Sequence, residues 1–248
     1  MRAPDWLTAR PIAHRGLHDK AQGVIENTPS AAFAAIDKGF AIECDVQLSA
    51  DGEAMVFHDF ALERLTESSG DVGAKMANAL SALTMKGTTD RIMSLPDFIT
   101  CIGGRTPLIV EIKSRFDGDH RLAKRVAEIV KASSAPIALK SFDPGVLAAL
   151  RTLASECLRG IVAMATYDFP DYASCSAGDK HAMANLLHFT DSRPDFLSWR
   201  VGDLPSAAPH LCRAALGLPV MTWTVRNDAD LAKAAAHADQ IVFEGFVP

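Results

Sequence analysis

The chain has 248 residues, 48% of them hydrophobic and 22% charged, with a net charge of -5. Those values describe a soluble globular protein long enough for one large α/β barrel or two small domains. They argue against broad, sequence-independent nucleic-acid binding, which needs a basic face, and leave room for a small anionic substrate met by a few local cations.

Short apolar runs alternate with helical patterns almost from end to end. Eight runs read as strands: Pro11–His14, Ala41–Val46, Leu108–Lys113, Pro136–Phe142, Leu158–Ala163, Phe196–Val201, Pro219–Val225 and Gln240–Glu244. Between the first two, Thr28 caps a helix with Pro29 at its first position, Phe33 and Ile36 on one face and Gly39 as the stop. Ser94 caps a second helix, carrying Leu95, Phe98, Ile99 and Ile102 and closed by Gly103-Gly104. Leu122, Val126, Ile129 and Val130 form a one-sided stripe on a third. Asp143-Pro144 opens a fourth, with Leu147, Leu150 and Ala154 on one face.

Strands alternating with helices over this length predict an α/β fold of the (β/α)8 TIM-barrel type, with a doubly wound open sheet as the competitor. The rhythm breaks between the second and third strands. A hairpin partner (Glu53–His58), a loop (Ser68–Gly73) and a short helical segment near Met76–Leu83 read there as a rim insertion at about 53–93. The whole of 1–248 is then one barrel domain carrying that insertion. Met1–Arg10 holds no apolar leader, and no apolar run approaches the length of a membrane span, so a cytoplasmic protein without stable membrane insertion is expected. The five cysteines, at 44, 101, 157, 175 and 212, form no CxxC pair and suggest neither a disulfide framework nor a zinc cluster.

Three of the strands end in charge. Burying charge costs several kcal/mol unless it is paired, solvated or bound to a metal. Side chains alternate along a strand, so Glu43 and Asp45 share one face opposite Ile42, Cys44 and Val46, and Glu111 shares a face with Lys113. Residues two apart lie about 6.6 Å from each other at the backbone, close enough for both carboxylates to reach one ion. With Glu111 from the next barrel strand, three oxygen ligands would suit a hard cation, Mg2+ or Ca2+. The plainer alternative is that these acids simply salt-bridge Arg15 and Lys113.

His14-Arg15-Gly16 closes the first strand. Arg15 can hold a phosphate oxygen through paired hydrogen bonds, His14 can move protons near neutral pH, and Gly16 permits a sharp turn. Glu26-Asn27 either folds back on the mouth or only solvates a loop. His58-Asp59 ends another apolar run, and a second histidine is what phosphodiester cleavage needs: one base for the nucleophile, one acid for the leaving oxygen. Asp59 either orients His58 or starts the next turn. Trp223 is either a wall for the substrate's glycerol or alcohol part, or a core residue. The histidines at 18, 120, 181, 188, 210 and 237 have no partner in the pattern and receive no role.

Taken in order, these motifs resemble the glycerophosphodiester phosphodiesterase family: Ala13-His14-Arg15-Gly16, Glu26-Asn27-Thr28, Glu43-Cys44-Asp45-Val46, Asp51-Gly52, Phe57-His58-Asp59, Leu65-Thr66, Glu111-Ile112-Lys113, Ser141-Phe142-Asp143 and Trp223-Thr224-Val225. The resemblance implies a TIM-type barrel, a divalent cation and hydrolysis of glycerophosphodiesters to sn-glycerol 3-phosphate and an alcohol. It implies Glu43, Asp45 and Glu111 as metal ligands, His14 and His58 as the acid/base pair, Arg15 and Lys113 as phosphate contacts, and Trp223 as a substrate contact. Two positions depart from the pattern: Phe243-Glu244-Gly245 stands where Thr-Asp is usual, and Arg226 follows Trp-Thr-Val where Asn is usual.

In that reading the partner is a small glycerophosphodiester. The nucleophile is either water or the substrate's own 2-hydroxyl, and the released alcohol, the choice of cation and the oligomeric state stay open. Three rivals remain: a related phospholipase D-like enzyme acting on lipid head groups, a non-catalytic glycerol-phosphate-binding module, and a metal-free barrel enzyme using Lys113 as a Schiff base.

Overall fold

The computed structural model describes residues 3–248; Met1 and Arg2, the first residues of the stretch read for a leader, lie outside them. In chain order the elements are β1 (Ile12–Ala13), α1 (Pro29–Asp37), β2 (Ala41–Leu48), β3 (Ala54–Val56), α2 (Ala77–Ser81), α3 (Leu95–Ile102), β4 (Leu108–Ile112), α4 (Arg121–Lys131), β5 (Ile137–Ser141), α5 (Pro144–Leu153), β6 (Leu158–Ala163), α6 (Ala177–Ala184), α7 (Phe189–Ser192), β7 (Phe196–Arg200), α8 (Ala207–Leu216), β8 (Val220–Val225), α9 (Asp228–His237) and β9 (Gln240–Phe243).

Eight of the strands form a parallel ring in the order β1-β2-β4-β5-β6-β7-β8-β9, and β9 closes back onto β1 through Ile12↔Val242 and Ala13↔Phe243. That closure makes the fold a (β/α)8 TIM barrel and removes the doubly wound sheet. β3 lies outside the ring, antiparallel to β2 with Val46 opposite Val56. Met55, Phe57, Leu62, Val72 and Leu80 of the segment after β2 bury one another in a small cluster of their own.

Alternation along the strands decides what the barrel holds. At one level Ile12, Ala41, Ile109, Ala138, Met221 and Val242 point inward and pack together, with Leu7 beneath them. Two residues further along the same strands the inward positions are His14, Glu43, Glu111, Lys140, Trp223 and Glu244. One step of the two-residue period therefore converts an apolar plug into a charged layer at the C-terminal mouth, where barrel enzymes carry their chemistry.

The outward faces meet the helices largely as the periodicity predicts. Leu122, Val126, Ile129 and Val130 of α4 are all buried, and Ser94 caps α3 by accepting the Asp97 N–H, with Gly103 left-handed at its end. Helix α1 differs from expectation. Its buried residues are Ala31, Ala32 and Ala35, while Phe33 is 40% exposed beneath the Arg105 guanidinium. Alanines let the helix sit close to the barrel, and a phenylalanine on that face would hold it off.

Candidate active site

The turn after β1 is built around backbone that few residues tolerate. Arg15 has φ 58° and Gly16 φ 80°, and a Cβ on Gly16 would lie 2.8 Å from the Ala31 carbonyl carbon. This tight seat against α1 points the Arg15 N–H at Glu43 Oε2 (3.0 Å). The guanidinium reaches Glu26 Oε1 at 2.6 Å and lies 3.3 Å from Asp45 Oδ2. Asn27, also left-handed, donates from Nδ2 to Asp45 Oδ2 (3.0 Å) and accepts the Asp45 N–H (3.1 Å). Glu26-Asn27 thus folds back onto the mouth.

Glu43, Asp45 and Glu111 do converge. One oxygen from each lies within 4.8 Å of the others, and all three side chains are buried. Two ammonium groups pair with them. Lys113 Nζ lies 2.8 Å from Asp45 Oδ1 and 2.5 Å from Glu111 Oε1, while Lys140 Nζ lies 3.0 Å from Glu43 Oε1 and 3.1 Å from Glu111 Oε2. Burial alone would raise the Glu111 carboxyl, but Lys113 and Lys140 together hold it at about 2. Burial would likewise raise Asp45, and Lys113, His58 and Arg15 keep it well below the usual carboxylate range. Burial would lower both ammonium groups, yet their carboxylate neighbours push them up.

An all-oxygen donor set of this spacing can hold a hard divalent cation. Glu43 Oε1 adds a specific sign of fit: it is buried and accepts no hydrogen bond, although Lys140 is near. The acids therefore salt-bridge their lysines and also form a donor set that could hold an ion.

The two histidines share one arrangement. His58 Nδ1 lies 2.7 Å from Asp59 Oδ1, and His14 Nδ1 makes a short contact with Glu244 Oε2. Each carboxylate fixes one ring nitrogen and leaves Nε2 free; His14 Nε2 lies 4.0 Å from Glu43 Oε2. Burial would raise Glu244, but the hydrogen bond to His14, the nearby His18 ring and the charge on Arg226 depress it strongly. Burial is likewise overcome at Asp59 by His58 and Arg64, and at Glu26, which Arg64 and Arg15 bring to about 2.

Both histidines, Arg15, Asp45, Glu111, Lys113 and Lys140 line a cavity of about 1040 Å3. Its opposite wall is aromatic. Trp223 lines it, donates from Nε1 to the Ser198 carbonyl (2.8 Å) and packs edge-on against Phe142 with centroids 5.4 Å apart. It is a wall residue, anchored from behind.

Sequence reasoning missed Lys140, although a lysine after Ile137-Ala138-Leu139 obeys the rule that flagged Glu43. It left His18 without a partner, whereas His18 Nε2 lies 3.8 Å from Glu244 Oε2. It marked Glu244 and Arg226 as departures without seeing that Arg226 Nε donates to Glu244 Oε1 (2.7 Å).

Closed barrel and charged mouth together define an α/β-barrel protein with acid, base and cation groups facing one cavity. The chain belongs to the glycerophosphoryl diester phosphodiesterase family, whose family model matches residues 14–242. It is thereby a phosphodiesterase, a hydrolase of phosphoric diesters. It is 36% identical over 111 residues to a glycerophosphodiester phosphodiesterase of Caldanaerobacter subterraneus subsp. tengcongensis, a stretch covering 42% of this chain and 44% of that relative. It is 30% identical over 192 residues to the uncharacterized protein YqiK of Bacillus subtilis (strain 168), covering 73% of this chain and 78% of that one. Among solved structures, an Oleispira antarctica phosphodiesterase in complex with the product sn-glycerol-3-phosphate superposes with a TM-score of 0.77 at 21% identity, covering 94% of this chain and 92% of the other. A glycerophosphodiester phosphodiesterase from Thermotoga maritima gives 0.70 at 23%, with 94% and 92% covered. At these identities the structures establish the shared fold. Among the described residues no helix is long and apolar enough to cross a membrane.

Proposed function

We propose that the protein hydrolyses glycerophosphodiesters to sn-glycerol 3-phosphate and an alcohol, with a divalent cation held by Glu43, Asp45 and Glu111. One observation carries the reading: two imidazoles, each held at Nδ1 by its own carboxylate, line the same cavity as Asp45 and Glu111, two members of a buried cluster of three acids whose third, Glu43, lies behind them. The Oleispira antarctica phosphodiesterase was solved in complex with its product sn-glycerol-3-phosphate, and the same product is expected here.

The cation, Mg2+ or Ca2+, would neutralise the phosphodiester and the charge that grows on its oxygens in the transition state. Arg15 and Lys113, each also paired with a carboxylate, would bind the phosphate oxygens. His14 and His58 divide the proton work: one takes the proton of the nucleophile, the other gives one to the departing alkoxide. Glu244 and Asp59 position them by fixing Nδ1, so that Nε2 faces the substrate. Asn27 and Lys140 position the acids, Asn27 through Asp45 and Lys140 through Glu43 and Glu111. Trp223 packs against the carbon skeleton of the substrate. Five free cysteines fit a reducing compartment, and the reading places the enzyme in the cytoplasm.

The test is a coupled assay for glycerol 3-phosphate over several glycerophosphodiesters, with and without EDTA. The reading expects release that stops with chelator and returns with Mg2+ or Ca2+. Full activity under chelator would remove the cation from the mechanism, and no release from any diester would remove the function.

A further inference from the structure

Six side chains lining the cavity are permanent cations: Arg15, Arg64, Lys113, Lys140, Arg200 and Arg226. Five are committed to protein carboxylates at hydrogen-bond distance. Arg15 and Arg64 hold Glu26, Lys113 holds Asp45 and Glu111, Lys140 holds Glu43 and Glu111, and Arg226 holds Glu244. Arg200 alone among these described residues is not. Its nearest acid, Asp203, lies 3.9 Å away, too far for a hydrogen bond, and Asp203 Oδ2 already accepts the Ala165 N–H (2.8 Å). The Arg200 side chain is 40% exposed, and its guanidinium lies over the Phe169 ring, 5.6 Å from the centroid.

Its place in the ring is also informative. β7 pairs in the order Phe196, Ser198, Arg200 on the inward face, with Arg200 opposite Trp223 of β8. β7 is four strands from β2 in the eight-stranded ring, so Arg200 faces the Asp45 side across the mouth. A diester whose phosphoryl group sat with the acids and histidines could extend its alcohol half toward Arg200 and Phe169, which line the same cavity.

We propose that Arg200 is a specificity residue that binds an anionic group, a carboxylate or a second phosphate, carried by the alcohol half of the substrate. The inference rests on the diesterase reading and names the substrate class for that site. A guanidinium presents a rigid fork of donors that matches both groups, and the Phe169 ring beside it takes none of those donors. Asp171 lies on the same lip and would favour the opposite charge, an ammonium head group; the uncommitted arginine on the inward face of a barrel strand decides against it.

The experiment compares kcat/KM for glycerophosphoserine and glycerophosphoinositol 4-phosphate, whose alcohols carry a carboxylate and a phosphate, with glycerophosphoglycerol and glycerophosphocholine. Preference for one or both anionic substrates over glycerophosphoglycerol should be about ten- to a hundredfold, the range of a charge-assisted contact. Arg200→Gln should bring that ratio near one, mainly through KM, with Arg200→Lys intermediate. Arg213→Gln, an arginine outside the cavity paired with Asp239, should leave the ratio in place. The two anionic substrates tell carboxylate from phosphate recognition. A wild-type ratio near one, a preference for choline, or a ratio that survives Arg200→Gln overturns the assignment. Glycerophosphoglycerol turnover separates the two readings: with it present, Arg200 falls alone; with every diester inert, the diesterase reading falls too.

Discussion

On the side of the mouth that runs from β9 through β1 to β5, every inward charge among the described residues meets a partner within the protein; from β6 to β8 the inward positions include Gly160, Val162, Met164, Phe196, Ser198, Met221 and Trp223, with Arg200 the single charge among the described residues. Both sides belong to one barrel and share one alternation. They differ in what is buried. Glu43 is fully buried and Lys140 is 2% exposed, so their pairing is a condition of folding as much as of chemistry. Arg200, at 40% exposed, is solvated and free to bind something else. Charge on the first side is therefore structural and, in the proposed reading, catalytic as well, while on the second it is available for selection.

The histidines give the largest expected effect. His14→Ala and His58→Ala should each lower turnover by about two to four decades, the usual range for a general acid or base. Unfolding midpoints near wild type would show that the fold survives. Near-normal turnover in either variant removes that residue from the proton work, and with it the claim that the charged side is catalytic.

Lys140→Met sharpens the contrast in stability. It strands Glu43 in a buried site and leaves Glu111 with Lys113 alone, and breaking such a pair from one side costs about 3–5 kcal/mol. Arg200→Gln, across the mouth, should stay within about 0.5 kcal/mol. Urea denaturation of both variants at neutral pH measures the difference. Equal, small losses would mean that the acids are solvated well enough to need no internal counter-charge.

Acid should act on the charged side first. Glu26 titrates at about 2 in the fold against 4.5 ordinarily, because Arg64 and Arg15 outweigh its burial. A depressed carboxyl contributes stability that is complete above 4.5 and fades as pH falls toward 2. The gap corresponds to on the order of 3 kcal/mol for a side chain only 12% exposed. Glu26→Gln should therefore be less stable than wild type at pH 7 by up to that order, with the difference narrowing below pH 4.5. A gap that stays constant from pH 7 to pH 3.5 would show that the loss is one of shape.

How much of this could be read from the sequence follows from how local each feature is. The strand positions and the Glu43/Asp45 pair were legible because alternation writes them into neighbouring residues. Lys140 obeyed the same alternation but stood alone in its strand, with no second charge two residues away to draw notice. Glu244 was visible as an oddity, yet its role depends on His14, 230 residues away in the chain, and on the β9–β1 pairing that closes the ring. Helix α1 misled for another reason: the large apolar residue Phe33 stood out, whereas small alanines make the contact. Phe169 and Asp171 lie in a loop and a short turn with no period to mark their direction.

The apolar side offers the smallest effect and the most direct check on its own construction. Gly160 of β6 faces Phe196 of β7, and a Cβ at residue 160 would lie 2.1 Å from that ring. The ring fills the space beneath the aromatic wall, among Ile12, Ile109 and Met221. Gly160→Ala has to turn or push Phe196, an overpacking that costs about 1–3 kcal/mol. The displaced ring lies one inward step below Ser198, whose carbonyl accepts the Trp223 indole, so the strain should pass to the cavity wall. Stability should then fall together with a rise in KM, while kcat, which the proposed reading assigns to the histidines across the mouth, changes little. A fall in kcat with KM unchanged would show that packing beneath β6 and β7 positions the charged groups as well, and that the two sides are one unit.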